Sequence, residues 1–284
     1  MKHVPVLMRE VLEIFAEVRL CTFFDGTLGA GGHAKGILEA HPEIERYIGC
    51  DRDPRAHEIA EGVLAPWREK VEFVRGNYAD EVKKIDGCID GFLIDVGVSS
   101  MQLDEKERGF SFMGDAPLDM RMDPESDLTA AKIVNRYPEG ELARIFFEFG
   151  EERRSRQVAR AIVEARKKRR IETTGELVEI IKPVATRGRL HPATLVFQAL
   201  RIVVNDELGQ LGRGIDAAMG KLGSGGRLAV ISFHSLEDRI VKNALREAKG
   251  RIKILTKKPV GPSAEEARRN PRSRSAKLRA GEVL

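Results

Sequence analysis

Short apolar runs alternate along the chain with stretches of helical periodicity, and this alternation predicts a parallel α/β sheet. Four runs in the first third have the length and the β-branched or apolar composition of strands: residues 22–24, 46–50, 71–74 and 92–95. Helical patterns between them begin at His33 and at Pro54, a residue suited to the first turn of a helix. The fourth run is almost purely apolar, as expected of a strand buried on both faces.

The pattern changes after Met101, where helical stretches follow one another without a convincing strand. We predict helices over residues 128–135, 139–149, 151–170 and 174–182. In the third, Val158, Ala161, Ile162 and Ala165 have the spacing of one buried stripe.

Sheet-forming patterns resume near Glu207. We predict a helix over residues 207–222 that ends at the sequence GSGG, a strand over 227–233, a helix over 236–248, and an antiparallel pair from 252–255 and 277–283. The sequence therefore predicts a sheet domain made of residues 1–102 and 206–284, interrupted by an inserted helical domain at 103–205.

Composition excludes several classes of protein. In 284 residues, 42% hydrophobic and 32% charged content is too apolar for a disordered chain, and no apolar run reaches the roughly 20 residues of a membrane span. The N-terminus lacks the features of a signal peptide, so we expect a cytoplasmic protein. Cys21, Cys50 and Cys88 have no metal-binding spacing, and we predict no metal site.

A glycine-rich turn follows the first predicted strand, in the segment TFFDGTLGAGGH. Glycines allow the backbone to bend sharply and to approach a ligand closely. Gly31 and Gly32 precede the first helix of the predicted sheet, and Asp51 ends the second strand, where an acid can accept hydrogen bonds from ribose hydroxyls.

Two cofactor classes fit this turn, and a purely structural glycine turn is a third interpretation. Gly29, Gly31 and Ala34 match the loose dinucleotide pattern, which would indicate a nicotinamide or flavin. Asp25 opens the turn, however, and its carboxylate would repel a pyrophosphate while attracting an ammonium group. These residues therefore favour S-adenosylmethionine. Tyr78 either covers the adenine or packs as an ordinary core tyrosine.

Arginines are concentrated in two places that could bind phosphate or could simply be solvated surface. The net charge is only +4, so a nucleic-acid partner must be argued from charge placement. The two clusters are Arg153, Arg154, Arg156 and Arg160 with the run 166–170, and Arg268, Arg269, Arg272 and Arg274.

Eight motifs together resemble one family over essentially the full length. They are HVPVL from His3, DGTLGAGGH from Asp25, DRDP from Asp51, DVGVSSMQLD from Asp95, RGFSFMGDAPLDMRMDP from Arg108, HPATLVFQALRIVVNDEL from His191, SFHSLEDRIVK from Ser232 and NPRSRSAKLR from Asn270. The chain resembles the bacterial ribosomal RNA small-subunit methyltransferase H family, also called MraW, whose members methylate the exocyclic N4 amine of a cytosine in 16S rRNA.

The resemblance implies a Rossmann-like, S-adenosylmethionine-dependent methyltransferase fold and the decoding region of 16S rRNA, or the small ribosomal subunit, as partner. It implies no membrane partner, and it leaves the oligomeric state open, with a homodimer as one alternative. The cofactor positions it implies, with Asp25 added from the turn, are Asp25, Gly31, Gly32, His33, Asp51, Tyr78, Asp95 and Gln102. Three positions depart from the family pattern: Tyr78, Met101 and Leu195.

The candidate catalytic residues lie at or just after the end of the fourth predicted strand and in the loop at His234. Most known amine methyltransferases place an acid or amide and two prolines after the fourth strand, whereas this chain has DVGVSS. Asp95 and Ser99 are the catalytic candidates, Asp95 could instead bind cofactor, and the His234 loop could face the base. Two other classes remain as alternatives: an NAD-dependent oxidoreductase and a non-catalytic RNA-binding protein.

Overall fold

The computed structural model describes residues 5–97, 105–186 and 191–284. His3, Ser99, Met101 and Gln102, which the sequence singled out, lie outside the described residues. The chain divides into two compact units. We call Met1–Gly97 together with Leu208–Leu284 the sheet unit, and Val98–Glu207 the helical unit.

The described residues of the sheet unit form one seven-stranded sheet. Its strands are β1 (Thr22–Asp25), β2 (Arg46–Asp51), β3 (Val71–Arg75), β4 (Ile89–Asp95), β5 (Leu222–Ser232), β6 (Ile252–Ile254) and β7 (Lys277–Val283). They lie in the order β3-β2-β1-β4-β5-β7-β6, parallel except for β7, which is antiparallel to both neighbours. The predicted α/β class and the final antiparallel pair are confirmed. Strand order reverses between β1 and β4, where ligands bind in open α/β sheets.

Both faces of the sheet are buried, which explains the apolar runs in the sequence. Consecutive residues of β1 enter different cores: Phe23 stacks on Tyr47 with ring centroids 5.3 Å apart, and Phe24 stacks on Phe92 at 5.5 Å. Side chains alternate between the faces of a strand, so a strand covered on both sides must be apolar throughout.

Strand β5 begins earlier than the sequence predicted. Ile89 pairs with Leu222 and Gly91 pairs with Arg227, so residues 223–226 bulge opposite a single residue of β4. Gly225 has φ +78°, a left-handed conformation that glycine adopts without strain. The GSGG segment that was expected to end a helix therefore forms a bulge within the strand.

The helices of the described residues are α1 (Met8–Phe15), α2 (Gly32–Ala40), α3 (Pro54–Val63), α4 (Tyr78–Glu81), α5 (Ala130–Arg136), α6 (Glu139–Glu148), α7 (Ser155–Lys168), α8 (Thr174–Ile181), α9 (Thr194–Asn205), α10 (Glu207–Lys221), α11 (Ser235–Glu247) and α12 (Ala264–Arg269). Side chains cap several of them: Asp53 accepts from Arg55 N before α3, and Thr173 forms a capping box with Glu176 before α8. Over these same residues, no helix combines the length and apolarity needed to cross a bilayer.

Helix α9 lies in the core of the helical unit and was not predicted. Its buried residues include Val196, Phe197, Ala199, Leu200 and Ile202, which point in several directions around the helix. Its partly buried positions include Thr194, Gln198 and Arg201, a polar stripe at helical spacing that the sequence prediction overlooked.

The apolar stripe of α7 is centred differently from the prediction. Val158, Ala159 and Ile162 are fully buried, whereas Ala161 and Ala165 are only partly buried. The helix also begins at Ser155 rather than Glu151, because residues 151–154 form a corner that precedes it.

Candidate cofactor site

The turn after β1 is fastened to the two strands beside it. Gly26 N donates to Leu93 O of β4 at 2.8 Å, and Leu28 N donates to Cys50 O of β2 at 2.9 Å. These bonds hold the turn at the carboxyl ends of three neighbouring strands, where sites in such sheets form.

The glycines of the turn serve different purposes. Gly29 and Gly31 have φ +50° and +77°. A Cβ on Gly31 would lie 3.3 Å from Ala60 Cβ, and one on Gly32 would lie 2.6 Å from Pro5 Cγ, so both glycines are required by packing within the chain. A Cβ on Gly29 would meet only one backbone oxygen, at 3.9 Å. Of these three glycines, Gly29 is therefore the one with open space beside its backbone, where a ligand can approach.

Asp25, at the end of β1, is only 1% exposed. Its Oδ2 accepts a hydrogen bond from the Tyr47 hydroxyl at 2.9 Å, and its Oδ1 accepts one from Thr27 N at 3.1 Å. Burial raises the pKa of Asp25 to about 7, and the nearby charge of Asp51 adds to the increase. A cation beside this carboxyl group would favour its charged form.

Asp51, at the end of β2, connects the turn to the start of α3. Its Oδ2 accepts from Gly29 N and its Oδ1 accepts from Asp53 N, both at 2.9 Å. Burial is the main cause that raises the pKa of Asp51. Each carboxylate oxygen can accept more than one hydrogen bond, so Asp51 can still accept from hydroxyl groups of a ligand.

Asp95 ends β4, the strand on the other side of β1. Its backbone N donates to Thr27 Oγ1 at 2.7 Å, and its Oδ2 lies 3.7 Å from His33 Nδ1. Its Oδ1 is buried without a hydrogen-bond partner among the described residues. Burial raises the pKa of Asp95 to about 8, with smaller contributions from the charges of Asp25 and Glu237. A buried carboxyl oxygen in this position calls for a donor from a ligand.

His33 and Tyr78, two other predicted cofactor positions, are both buried. His33 Nε2 lies 2.9 Å from Val6 O, which orients the imidazole beside Asp95. Tyr78 is 6% exposed, belongs to a core cluster, and packs against Gly214 and Gly26. This environment is that of the packed tyrosine, and a contact between Tyr78 and adenine stays a prediction.

His234 caps the N-terminus of α11. His234 Nδ1 accepts from Glu237 N at 3.5 Å, while Glu237 Oε2 accepts from Phe233 N at 2.7 Å and from His234 N at 3.1 Å. His234 Nε2 also lies 2.9 Å from Glu237 Oε1. The imidazole is thus held by its own helix.

Sequence reasoning missed Tyr47 and Thr27. Tyr47 lies on β2, is fully buried, and donates to Asp25; nothing in its sequence context separates it from a core tyrosine. Thr27 forms hydrogen bonds with both Asp25 and the backbone N of Asp95 at the end of β4. Its place in the glycine-rich turn was the available signal.

The three acids fit a cationic cofactor better than a phosphate. Asp25, Asp51 and Asp95 end strands that are adjacent in the sheet, and burial raises the pKa of all three. S-adenosylmethionine carries an ammonium, a sulfonium and ribose hydroxyls, which are the groups that these carboxylates can bind. A dinucleotide would instead place its pyrophosphate among acids.

Comparison with solved structures supports the fold. A candidate rRNA methylase from Clostridium thermocellum superposes with a TM-score of 0.51 at 11% identity, covering 99% of this chain and all of that protein. A candidate methyltransferase from Streptococcus mutans, solved in complex with SAH, gives 0.50 at 10% identity over 99% and 100% of the two chains. The similarity shows a shared methyltransferase-type fold.

Comparison with sequences gives much closer relatives. The protein of Heliobacterium modesticaldum is 49% identical over 99% of this chain and 98% of its own length, and that of Geobacter sulfurreducens is 51% identical over 99% of both. Both are named ribosomal RNA small subunit methyltransferase H. The family model described as the MraW methylase family matches residues 1–284. The chain therefore belongs to the MraW methylase family.

Proposed function

We propose that this chain transfers a methyl group to the exocyclic N4 amine of a cytidine in 16S rRNA, in the decoding region of the small ribosomal subunit. The chain is an S-adenosylmethionine-dependent rRNA methyltransferase. The observation that carries the proposal is the family match over the whole chain, with close relatives named for this ribosomal subunit.

The cofactor is proposed to lie along the ends of β1, β2 and β4. Asp51 accepts from the ribose hydroxyls, and Gly29 offers backbone at the turn. Asp25 and Asp95 face the cationic part, which is supported by the raised pKa of each buried carboxyl group. Gly31, Gly32 and His33 shape the turn, and Tyr78 and Gln102 stay predicted cofactor contacts.

The target amine poses a chemical difficulty that these residues must overcome. Its lone pair is delocalised into the cytosine ring, so the amine is a weak nucleophile until it is oriented or loses a proton. The bound cofactor supplies an electrophilic methyl group. The chain contributes alignment of the two reactants. We assign Asp95 mainly to holding the cofactor, with Ser99 and Asp95 kept as candidates for the group that contacts the amine.

Two rival functions are disfavoured by particular observations. For an NAD-dependent oxidoreductase, the acids at Asp25, Asp51 and Asp95 would surround a pyrophosphate. A non-catalytic RNA-binding protein would have no use for an ordered turn fastened to buried carboxylates. We further propose that the helical unit contacts the RNA, as naked rRNA or in the assembled subunit, and that the reaction takes place in the cytoplasm with ribosomal RNA.

Mass spectrometry of nucleosides from 16S rRNA tests the proposal. Small subunits from cells lacking this protein should gain N4-methylcytidine when incubated with the purified chain and S-adenosylmethionine. An Asp51→Ala variant, which loses the proposed ribose acceptor, should bind cofactor more weakly by about 1–3 kcal/mol and methylate less at limiting cofactor. Methylation at a ring carbon or on a sugar hydroxyl would contradict the proposal.

A further inference from the structure

A groove on the surface of the helical unit is lined by α6 and by the residues around the start of α7. Its volume is about 840 Å³, within the range of about 300–1,000 Å³ typical of ligand-binding pockets. Its charged lining consists of five arginines and one glutamate: Glu139, Arg144, Arg153, Arg154, Arg156 and Arg160. The excess of positive charge suits an anionic ligand.

Three of these arginines have no counter-charge in the described part of the chain. The side chains of Arg153, Arg154 and Arg156 are exposed and make no ion pair or hydrogen bond with any described residue. Arg144, in contrast, lies 3.0 Å from Glu148, and Arg160 lies 3.8 Å from Glu139. The unpaired guanidinium groups are concentrated at the corner before α7 and in its first turn.

Glu152, which directly precedes the cluster, does not neutralise it. Glu152 is fully buried, and its carboxylate accepts from Arg154 N at 2.7 Å, from Thr186 N at 3.2 Å and from the Thr186 hydroxyl. The buried side chain of Glu152 therefore holds the corner before α7 in place through these hydrogen bonds. Glu152 therefore does not pair with the exposed guanidinium groups of Arg153 and Arg154, the two residues that follow it.

The opposite end of α7 is basic in sequence but largely neutralised in the structure. Lys167 lies 2.6 Å from Glu164, Arg169 lies 2.7 Å from Glu176, and Arg170 lies 3.7 Å from Glu172. Arg166 donates to the carbonyl of Val134 at 2.7 Å. The run 166–170 therefore leaves fewer cations without a partner among the described residues than the start of α7 does.

An exposed aromatic ring lies in the same groove. Phe147 is 62% exposed, and no other aromatic residue of the described part of the chain is classed as exposed. An exposed phenylalanine keeps apolar surface in water, and covering that surface with a ligand is favourable. Aromatic rings beside cationic side chains are the usual combination in proteins that bind single-stranded nucleic acid, because bases stack on the ring while phosphates bind the cations.

We propose that this groove binds a single-stranded segment of RNA, with a base stacked on Phe147 and backbone phosphates bound by Arg153, Arg154 and Arg156. The inference rests on the proposed function for the identity of the partner as RNA. It adds the location of the RNA contact and assigns it to the start of α7 rather than to the arginine run at its end.

Binding of a fluorescein-labelled single-stranded uridine 12-mer, measured by anisotropy across a range of salt concentrations, tests the proposal on the full chain. The triple variant Arg153→Gln, Arg154→Gln, Arg156→Gln should bind at least roughly tenfold more weakly at low salt. Its log-log salt slope should be shallower by about two units, since each phosphate contact on a single strand contributes about 0.7.

A triple variant with the same change in charge is the matched control: Lys167→Gln, Arg169→Gln, Arg170→Gln. Its binding and salt slope should stay close to those of the unmodified chain. Phe147→Leu keeps an apolar side chain but removes the stacking surface, so affinity should fall roughly tenfold with the salt slope unchanged. Equal losses in both triple variants would show a diffuse charge effect and overturn the proposal.

Methylation of small subunits, measured in parallel, separates this site from the proposed function. If the unmodified chain binds the 12-mer through the groove but methylates no rRNA, the proposed function fails and the groove stands. If it methylates rRNA while the Arg153, Arg154, Arg156 variant binds the 12-mer normally, the groove assignment fails. If the same variant binds the 12-mer normally but no longer binds small subunits, the groove binds a protein surface of the subunit. That result would equally overturn the proposal.

Discussion

At the residue scale, the main feature of the site is a set of acids whose pKa values are raised by burial. Burial raises the pKa of Asp25 to about 7 and that of Asp95 to about 8, and the charge of Asp25 adds to the increase at Asp95. A carboxyl group that is partly protonated near neutral pH responds strongly to a nearby cation. The cofactor proposed here would therefore bind with release of protons, and its affinity should increase with pH between about 6 and 8.

Asp25→Asn tests the raised pKa through stability. The native state holds a proton on Asp25 up to a pKa of about 7, whereas the unfolded state loses it near 3.8, so the native state binds more protons in that window. The free energy of unfolding of the cofactor-free chain should therefore fall as pH rises from about 4 to about 7, by up to 1.4 kcal/mol per pH unit from this group. Urea denaturation of the Asn variant should show a shallower decline.

Tyr47→Phe provides the companion measurement. The Tyr47 hydroxyl donates to Asp25 Oδ2, which favours the charged carboxylate and lowers its pKa. Removing that donor should extend the decline in stability to higher pH. Parallel pH profiles in the original chain and both variants would show that Asp25 is not the group that titrates.

Asp95→Asn distinguishes the two roles open to that residue. Asn is nearly isosteric but carries no charge and accepts no proton. We expect the variant to bind S-adenosylmethionine more weakly, because the buried Oδ1 loses its attraction for a cationic ligand, and saturating cofactor should restore most of the rate. Calorimetry and single-turnover methylation give the two quantities. Normal cofactor affinity with a saturating rate reduced roughly 100-fold would instead place Asp95 on the amine.

At the element scale, the corner between α6 and α7 presents the groove to solvent. A Cβ on Gly150 would lie 2.5 Å from the carbonyl oxygen of Leu195 in α9, so no larger residue fits. Glu151 adopts a left-handed φ of +54°, and Glu152 then turns into the core. The backbone of this corner thus directs the side chain of Glu152 into the core and the side chains of the next two residues to the surface.

Glu152→Gln tests the anchor of that corner. The side-chain NH2 of glutamine is a hydrogen-bond donor, and it would face the N–H group of Thr186 or of Arg154, which is also a donor. The groups left without an acceptor should lower the free energy of unfolding by about 1–3 kcal/mol. Thermal denaturation followed by circular dichroism should show the loss. Glu148→Gln, which changes an exposed acid paired with Arg144, is the control and should alter stability by less than about 0.5 kcal/mol. Equal effects of the two substitutions would refute the anchoring role.

The sequence predicted best the elements whose ends it marks clearly. Strand β2 and helix α6 begin at the predicted residues because turns and polar faces delimit them. Helix α9 was missed although Thr194, Gln198 and Arg201 give it a polar stripe at helical spacing, and β5 was predicted too short because its glycine bulge resembles a helix terminus. Nothing in the sequence marks Glu152 as a carboxylate that turns inward.

The site residues that could be predicted from the sequence are also those that a strand end marks. Asp25, Asp51 and Asp95 were identifiable because each ends an apolar run that could be recognised as a strand. Tyr47 could not be identified, since its role depends on the pairing of β1 with β2, which places Tyr47 opposite Phe23, two residues before Asp25. Contacts made across the sheet have no signature within one segment of sequence.

At the scale of the whole molecule, the two units have separate hydrophobic cores. The core of the helical unit is built from residues between Phe110 and Val204, and the two cores of the sheet unit draw on none of them. Each unit therefore has its own source of stability. A ligand that binds only the sheet unit should stabilise that unit in preference to the other.

Trp67, the one tryptophan of the chain, makes this separation measurable. It packs on a core cluster of the sheet unit, so its fluorescence reports that unit, while far-ultraviolet circular dichroism reports helices of both. We expect the two thermal transitions to differ, which is the sign of unfolding in more than one step. S-adenosylmethionine at about a hundred times its dissociation constant should raise the fluorescence midpoint by about 5 °C or more and leave part of the dichroism transition in place. Coincident transitions that move together with cofactor would mean that the two cores unfold as one.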